Sequence, residues 1–144
     1  LGYYCNPICK QTKLSKELQE SYRQAHNSLS VPALLRWMSE DIDYSDHGIN
    51  VAHVPKPVLH ALATTIFGSV KDMVFTTVSL NGNKDFTAWE WTSKGKIIKK
   101  IEGVPYKVGD EFEMMGCSLF WWKDGEEEEG SIVKMAEYSK FVGV

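Results

Sequence analysis

Long apolar runs are missing from this chain: no stretch of about 18 consecutive apolar residues occurs, which excludes a helical membrane span. A basic excess is missing too. The 16 Lys and Arg against 19 Asp and Glu leave a net charge of −3, without the basic face that nucleic-acid binding requires. Cysteine is scarce. Cys5, Cys9 and Cys117 cannot all pair with one another, and Cys5 and Cys9 lack the second Cys/His pair of a zinc site, so reduced thiols are expected. Residues 1–10 carry neither a charged n-region nor an apolar h-region, so no secretory signal is expected and a cytoplasmic location is. Phosphate-binding glycine loops, metal-ligand spacings and a Ser-His-Asp arrangement are likewise missing. The acidic run Glu126–Glu129 makes no calcium loop, because four consecutive side chains splay apart and a solvated turn results. Neither a metal nor a cofactor is expected.

What is present is a chain of single-domain length, 144 residues, with 12% aromatics and five Trp. An indole needs a shaped hole and a partner for its N–H, so five in a small domain point to a large-residue core or a pocket for a flat apolar ligand. An irregular arm over residues 1–14 precedes one domain over residues 15–144. Leu14, Leu18, Tyr22 and Ala25 recur at helical spacing towards Asn27. Ser30-Val31-Pro32 restarts a helix, with Ser30 as N-cap, which carries Leu34, Leu35, Trp37 and Met38 and ends near Glu40. Ile42–Asp46 alternates as a short strand, and His47-Gly48 closes it. A loop with Pro55 and Pro57 leads into a third helix from Pro57 to about Ser69. Four strands follow, over about 73–80, 85–92, 110–122 and 131–138, with Asn81-Gly82-Asn83 turning the first hairpin. The fold class is α+β: helices first, then a curved antiparallel sheet enclosing one pocket.

This order resembles the nuclear-transport-factor-like cones, and local phrases resemble the SnoaL-like polyketide cyclases among them. Glu40-Asp41-Ile42-Asp43-Tyr44-Ser45-Asp46-His47-Gly48 is similar to their acidic-aromatic-Asp strand after the helices. Gly103-Val104-Pro105-Tyr106-Lys107-Val108-Gly109 is similar to their loop before the long strand. Lys123-Asp124-Gly125, Gly130-Ser131-Ile132-Val133 and Glu137-Tyr138 resemble their closing hairpin. The likeness covers residues 34–138. Two departures stand out: the acidic insertion lengthens the last hairpin, and Met135 replaces a His often present in the last strand.

The residues themselves favour proton transfer, which needs a carboxyl or imidazole held in an apolar cavity. Ile42, Tyr44 and Asp46 share one strand face, so Tyr44 and Asp46 look inward if Ile42 marks the core. The resemblance implies the same for Asp46, since ketosteroid isomerases of this fold place their base at that position. Val133, Met135 and Glu137 share a face, and Glu137 matches the acidic residue that SnoaL-like cyclases use in their last strand. Asp46 and Glu137 are therefore the expected base and acid, Tyr44 and Arg36 the groups polarising a substrate oxygen, and His47 a further titratable candidate. Trp37, His60, Trp89, Trp91, Glu113, Met115 and Met135 are the expected substrate contacts.

Thr87, Trp89 and Trp91 share a face. On the following strand Glu113, Met115, Cys117, Leu119 and Trp121 share one face, and Phe112, Met114, Ser118, Phe120 and Trp122 the other. Both are apolar, so the outer face is expected to be covered, by homodimerisation through the sheet or by the N-terminal arm. The implied function is a cofactor-independent cyclase or isomerase. It would act on a bulky apolar metabolite of polyketide, terpenoid or alkaloid type. A dehydratase, an epoxide hydrolase and a non-catalytic binding module are the alternatives on the same scaffold.

Overall fold

The computed structural model describes Glu20, Arg23, Gln24 and residues 26–123 and 129–144. The arm, Cys5, Cys9 and Glu126–Glu128 lie outside the described residues. Among the described residues, helices α1, α2 (Val31–Leu35) and α3 (Lys56–Phe67) accompany a six-stranded sheet in which β1 (Met38–Asp46), β2 (Val51–Val54), β3 (Val70–Gly82), β4 (Phe86–Ile97), β5 (Glu111–Trp122) and β6 (Ile132–Phe141) lie in the order β2-β1-β6-β5-β4-β3. The first helix, α1, is described at Glu20, residues 23–24 and residues 26–27. It is tied to the sheet at one residue of β3 (Val70–Gly82): Asn27 Oδ1 accepts from the Phe75 N–H at 2.8 Å, and Arg23 Nη1 donates to the Phe75 carbonyl at 3.0 Å.

Helix α2 spans Val31–Leu35, and its N-cap Ser30 accepts from the Ala33 N–H at 3.3 Å. It ends well short of Glu40. Strand β1 (Met38–Asp46) starts where the helix was expected to continue, because the Trp37 carbonyl accepts from Ile132 N–H and Met38 pairs with Ile132. Tertiary pairing overrides a helical pattern of apolar residues there. A register shift between Met38 and Asp43 follows, after which Tyr44 and Asp46 pair with Met135 and Glu137. Strand β2 (Val51–Val54), read as loop from its sequence, pairs back on β1. It is four residues long and its middle two are exposed, so it carries no alternation to read.

Helix α3 spans Lys56–Phe67 and buries Leu59, Ala63 and Phe67, a stripe at four-residue spacing. Lys56 Nζ fastens its start to β1, donating to the Met38 carbonyl at 3.1 Å and to Glu40 at 2.7 Å. Strands β3, β4 (Phe86–Ile97), β5 (Glu111–Trp122) and β6 (Ile132–Phe141) form an antiparallel meander. The expected all-antiparallel sheet needs one correction: β1 joins β6 in parallel.

The inner face of the sheet solves the indole problem in one repeated way. Trp89 Nε1 donates to Thr77 Oγ1 (2.9 Å), Trp91 Nε1 to Ser118 Oγ (2.8 Å) and Trp122 Nε1 to Thr87 Oγ1 (3.1 Å). Each partner is a hydroxyl on a neighbouring strand, so the bulky rings are buried with their polar atom satisfied. Gly116 sits under one of them. A Cβ there would stand 2.5 Å from Trp91 Cζ2, so only glycine lets that indole lie across the strand.

Candidate active site

The meander and the parallel β1–β6 pair align Asp46, Glu137, Ser118 and Trp89 as successive partners across four strands. That row is the polar floor of a cavity of about 120 Å³ between the sheet and helices α1–α3. Leu59, Phe67, Phe75, Trp89 and Trp91 supply most of the apolar wall. Tyr44, Asp46, Ser118, Glu137, Ser139 and His26 supply its polar side chains.

Asp46 ends β1 and its Oδ1 accepts from the Gly48 N–H at 2.9 Å. Burial raises its pKa, while the nearby backbone N–H groups of Gly48 and Ile49 and the Tyr44 hydroxyl work the other way. Gly48 packs closely on β6, where a Cβ would run into Ser139 Oγ and move that hydroxyl. Glu137 is half-buried, and Ser118 Oγ donates to its Oε2 at 2.6 Å. Desolvation, and then the charge of Asp46, push its carboxyl up to about 8. His26, held over the cavity by α1, packs against Phe67 and Phe75 with ring centroids 5.2 and 4.2 Å away. Desolvation lowers its pKa to about 4, so the imidazole is neutral near pH 7.

Tyr44, Asp46, Glu137, Trp89 and Trp91 are thus brought together as the sequence led one to expect. Seven expected contacts stand elsewhere. Glu113 and Met115 are on the outer face, Met115 being 42% exposed, because β5 turns its other face inward. Arg36 is the C-cap of α2 and points out to Glu129, 3.9 Å away. His47 is exposed and stacks on Tyr138 at 4.5 Å, the turn having carried it to the outer side. His60 is exposed because it lies one position past the Leu59 stripe. Trp37 and Met135 are core residues that do not line the cavity. Three of the six polar lining residues, His26, Ser118 and Ser139, are not among those expected from the sequence. His26 follows Tyr22 at helical spacing and could have been placed on the same face. Ser118 lies on the β5 face opposite Glu113 and Met115, and alternation alone does not choose between those two faces.

Among the described residues no group of three or more His, Cys, Asp or Glu is arranged as a metal site, and no helix is long and apolar enough to cross a membrane. A helix-roofed, curved sheet enclosing one pocket is the architecture of a nuclear-transport-factor-like cone. No family model matches the sequence. The cyclase aurE of Calcarisporium arbuscula is 31% identical over 114 residues, covering 79% of this chain and 77% of that protein. AclR of Streptomyces galilaeus superposes with a TM-score of 0.74 at 16% identity, over 89% of this chain and 79% of its own. A SnoaL-like polyketide cyclase of Agrobacterium tumefaciens superposes with a TM-score of 0.68 at 10% identity, over 90% and 93%. The chain belongs to the SnoaL-like polyketide cyclase family.

Proposed function

We propose that the chain cyclises or isomerises a largely apolar, polyketide-type metabolite by proton transfer between Asp46, Glu137 and the substrate, without a cofactor. The supporting observation is a pair of neighbouring carboxyls in an apolar cavity, both raised by burial, with the charge of Asp46 lifting Glu137 further, to about 8. Asp46, whose carboxylate accepts from the Gly48 N–H, is the member that ionises first; Glu137 keeps its proton near pH 7. Asp46 is then the base that removes a proton next to a substrate carbonyl, and Glu137 the acid that supplies one to the developing oxyanion. Tyr44, the group expected to polarise a substrate oxygen, lines the same cavity and favours the charged form of Asp46. The cavity approaches the ~150 Å³ that encloses a benzene-sized ligand, so it surrounds one ring and leaves the rest of a larger substrate at the rim, near Ile49.

Incubating the protein with linear poly-β-ketone esters and following products by mass spectrometry tests this. An unchanged mass means cyclisation or isomerisation, and loss of water means dehydration. Asp46→Asn should lower turnover by ~10²–10⁴-fold with the fold intact. Full activity in that variant would sink the mechanism.

The same reading includes a homodimer through the outer sheet face. Val78, Met115 and Tyr138 are 58%, 42% and 49% exposed there, which is much apolar surface for an unpartnered face. Light scattering after size-exclusion chromatography reads the mass directly, and a monomer at micromolar concentration would remove the dimer.

A further inference from the structure

Ser118 is buried, 1% exposed, and its hydroxyl has two neighbours among the described residues: Trp91 Nε1 at 2.8 Å and Glu137 Oε2 at 2.6 Å. A hydroxyl offers one hydrogen and two acceptor positions, whereas an indole N–H can only donate. Trp91 therefore fills one acceptor position of Ser118 Oγ. Two arrangements are left when Glu137 carries its proton. In one, Ser118 donates to Oε2 and the acid proton sits on Oε1. In the other, Oε2–H donates to Ser118, and the serine hydrogen must point where the described residues offer no acceptor. Leaving that buried donor unmade is the costlier choice. Glu137 Oε1 has no hydrogen-bond partner among the described residues, and Glu137 lines the cavity.

We propose that Trp91 and Ser118 are positioning residues which, as a chain of donors ending on Glu137 Oε2, hold the acid proton on Oε1 and present it to the cavity. Trp91 then has two jobs. Its ring is wall, and its N–H sets the direction of the serine hydroxyl two strands from Asp46. Gly116 belongs to the device, because a side chain there would displace the indole that starts the chain. The proposal depends on the acid–base reading only for what the proton does once a substrate is bound. Where the proton sits is testable on the unliganded protein.

The experiment uses protein labelled with 13C at the Glu carboxyls, with Glu137→Gln identifying the Glu137 signal. Carboxyl NMR gives its titration, and isotope-edited infrared spectroscopy gives the C=O stretch of its protonated form. Ser118→Ala should raise the titration midpoint by about one pH unit, because it removes a hydrogen bond to the charged form. It should also raise the C=O frequency, because the carbonyl oxygen no longer accepts. Trp91→Phe keeps the ring and removes only the N–H. The serine can then accept from Oε2–H, so the stretch should shift even though Ser118 is intact. Unchanged midpoint and stretch in Ser118→Ala would overturn the proposal, and so would an unchanged stretch in Trp91→Phe should Ser118→Ala fail to fold. A spectroscopic shift with no cyclase activity in the parent would uphold the proton's location and refute the proposed function instead.

Discussion

Replacing Glu137 with glutamine is expected to strengthen the fold while removing the acid from the pocket. The Glu137 carboxyl titrates at about 8 in the folded chain against an ordinary value of 4.5. A group with a raised folded value holds its proton more tightly when folded, so its contribution is complete below pH 4.5 and is lost as pH rises towards about 8. The unfolded chain ionises freely across this window and the folded chain does not. The loss amounts to roughly 3 kcal/mol by pH 7, taking the full desolvation effect for a half-buried group. Glu137→Gln is neutral at every pH and nearly the same shape. It should therefore match the parent near pH 4.5 and exceed it progressively above that. Urea unfolding followed by Trp fluorescence at about pH 5, 7 and 9 reads the two free energies directly. A difference between parent and variant that stays constant over this range would refute the claim that the carboxyl is held protonated.

Two further outcomes follow from packing and burial. Gly116→Ala places a Cβ against the Trp91 indole and the Tyr138 carbonyl, and should cost about 1–3 kcal/mol with a changed near-UV circular dichroism spectrum. An unchanged spectrum and midpoint would mean that the indole has room the structure does not show. His26, lowered to about 4 by desolvation, contributes stability above pH 6.5 that is lost as pH falls towards 4. Its ring proton shifts in NMR should stay flat above pH 6, and a midpoint near 6.5 would place the imidazole in water.

Much of this architecture was legible in the sequence, and the failures have physical causes. Tyr44 and Asp46 could be placed because Ile42 and Tyr44 alternate with Asp43 and Ser45 in residue type, and Trp89 and Trp91 because β4 alternates in burial around them. Strand β5 defeated the same rule. With Met114 beside Met115 and Trp121 beside Trp122, both faces are apolar and period two cannot choose between them. The deciding residues are the small and polar ones, Gly116 and Ser118, which turn inward because Trp91 needs space over one and an acceptor from the other. Met38 was read as helical because its pairing with Ile132 lies far along the chain, beyond any local pattern. Arg36 was read towards the cavity for the same reason: α2 ends one turn early and releases it to solvent.

The parallel seam between β1 and β6 has a kinetic consequence. Hairpins close the β3–β6 meander from neighbours in the chain, but β1 reaches β6 only after a loop spanning most of the protein has closed. Asp46 and Glu137 are therefore expected to meet at the last seam to form and the first to open. The cost of burying the Glu137 carboxyl beside Asp46 would be absent from the folding nucleus, so Glu137→Gln should slow unfolding and leave the folding rate almost unchanged. Stopped-flow measurement of both limbs would show it, and a variant that folds faster would place the seam in the nucleus.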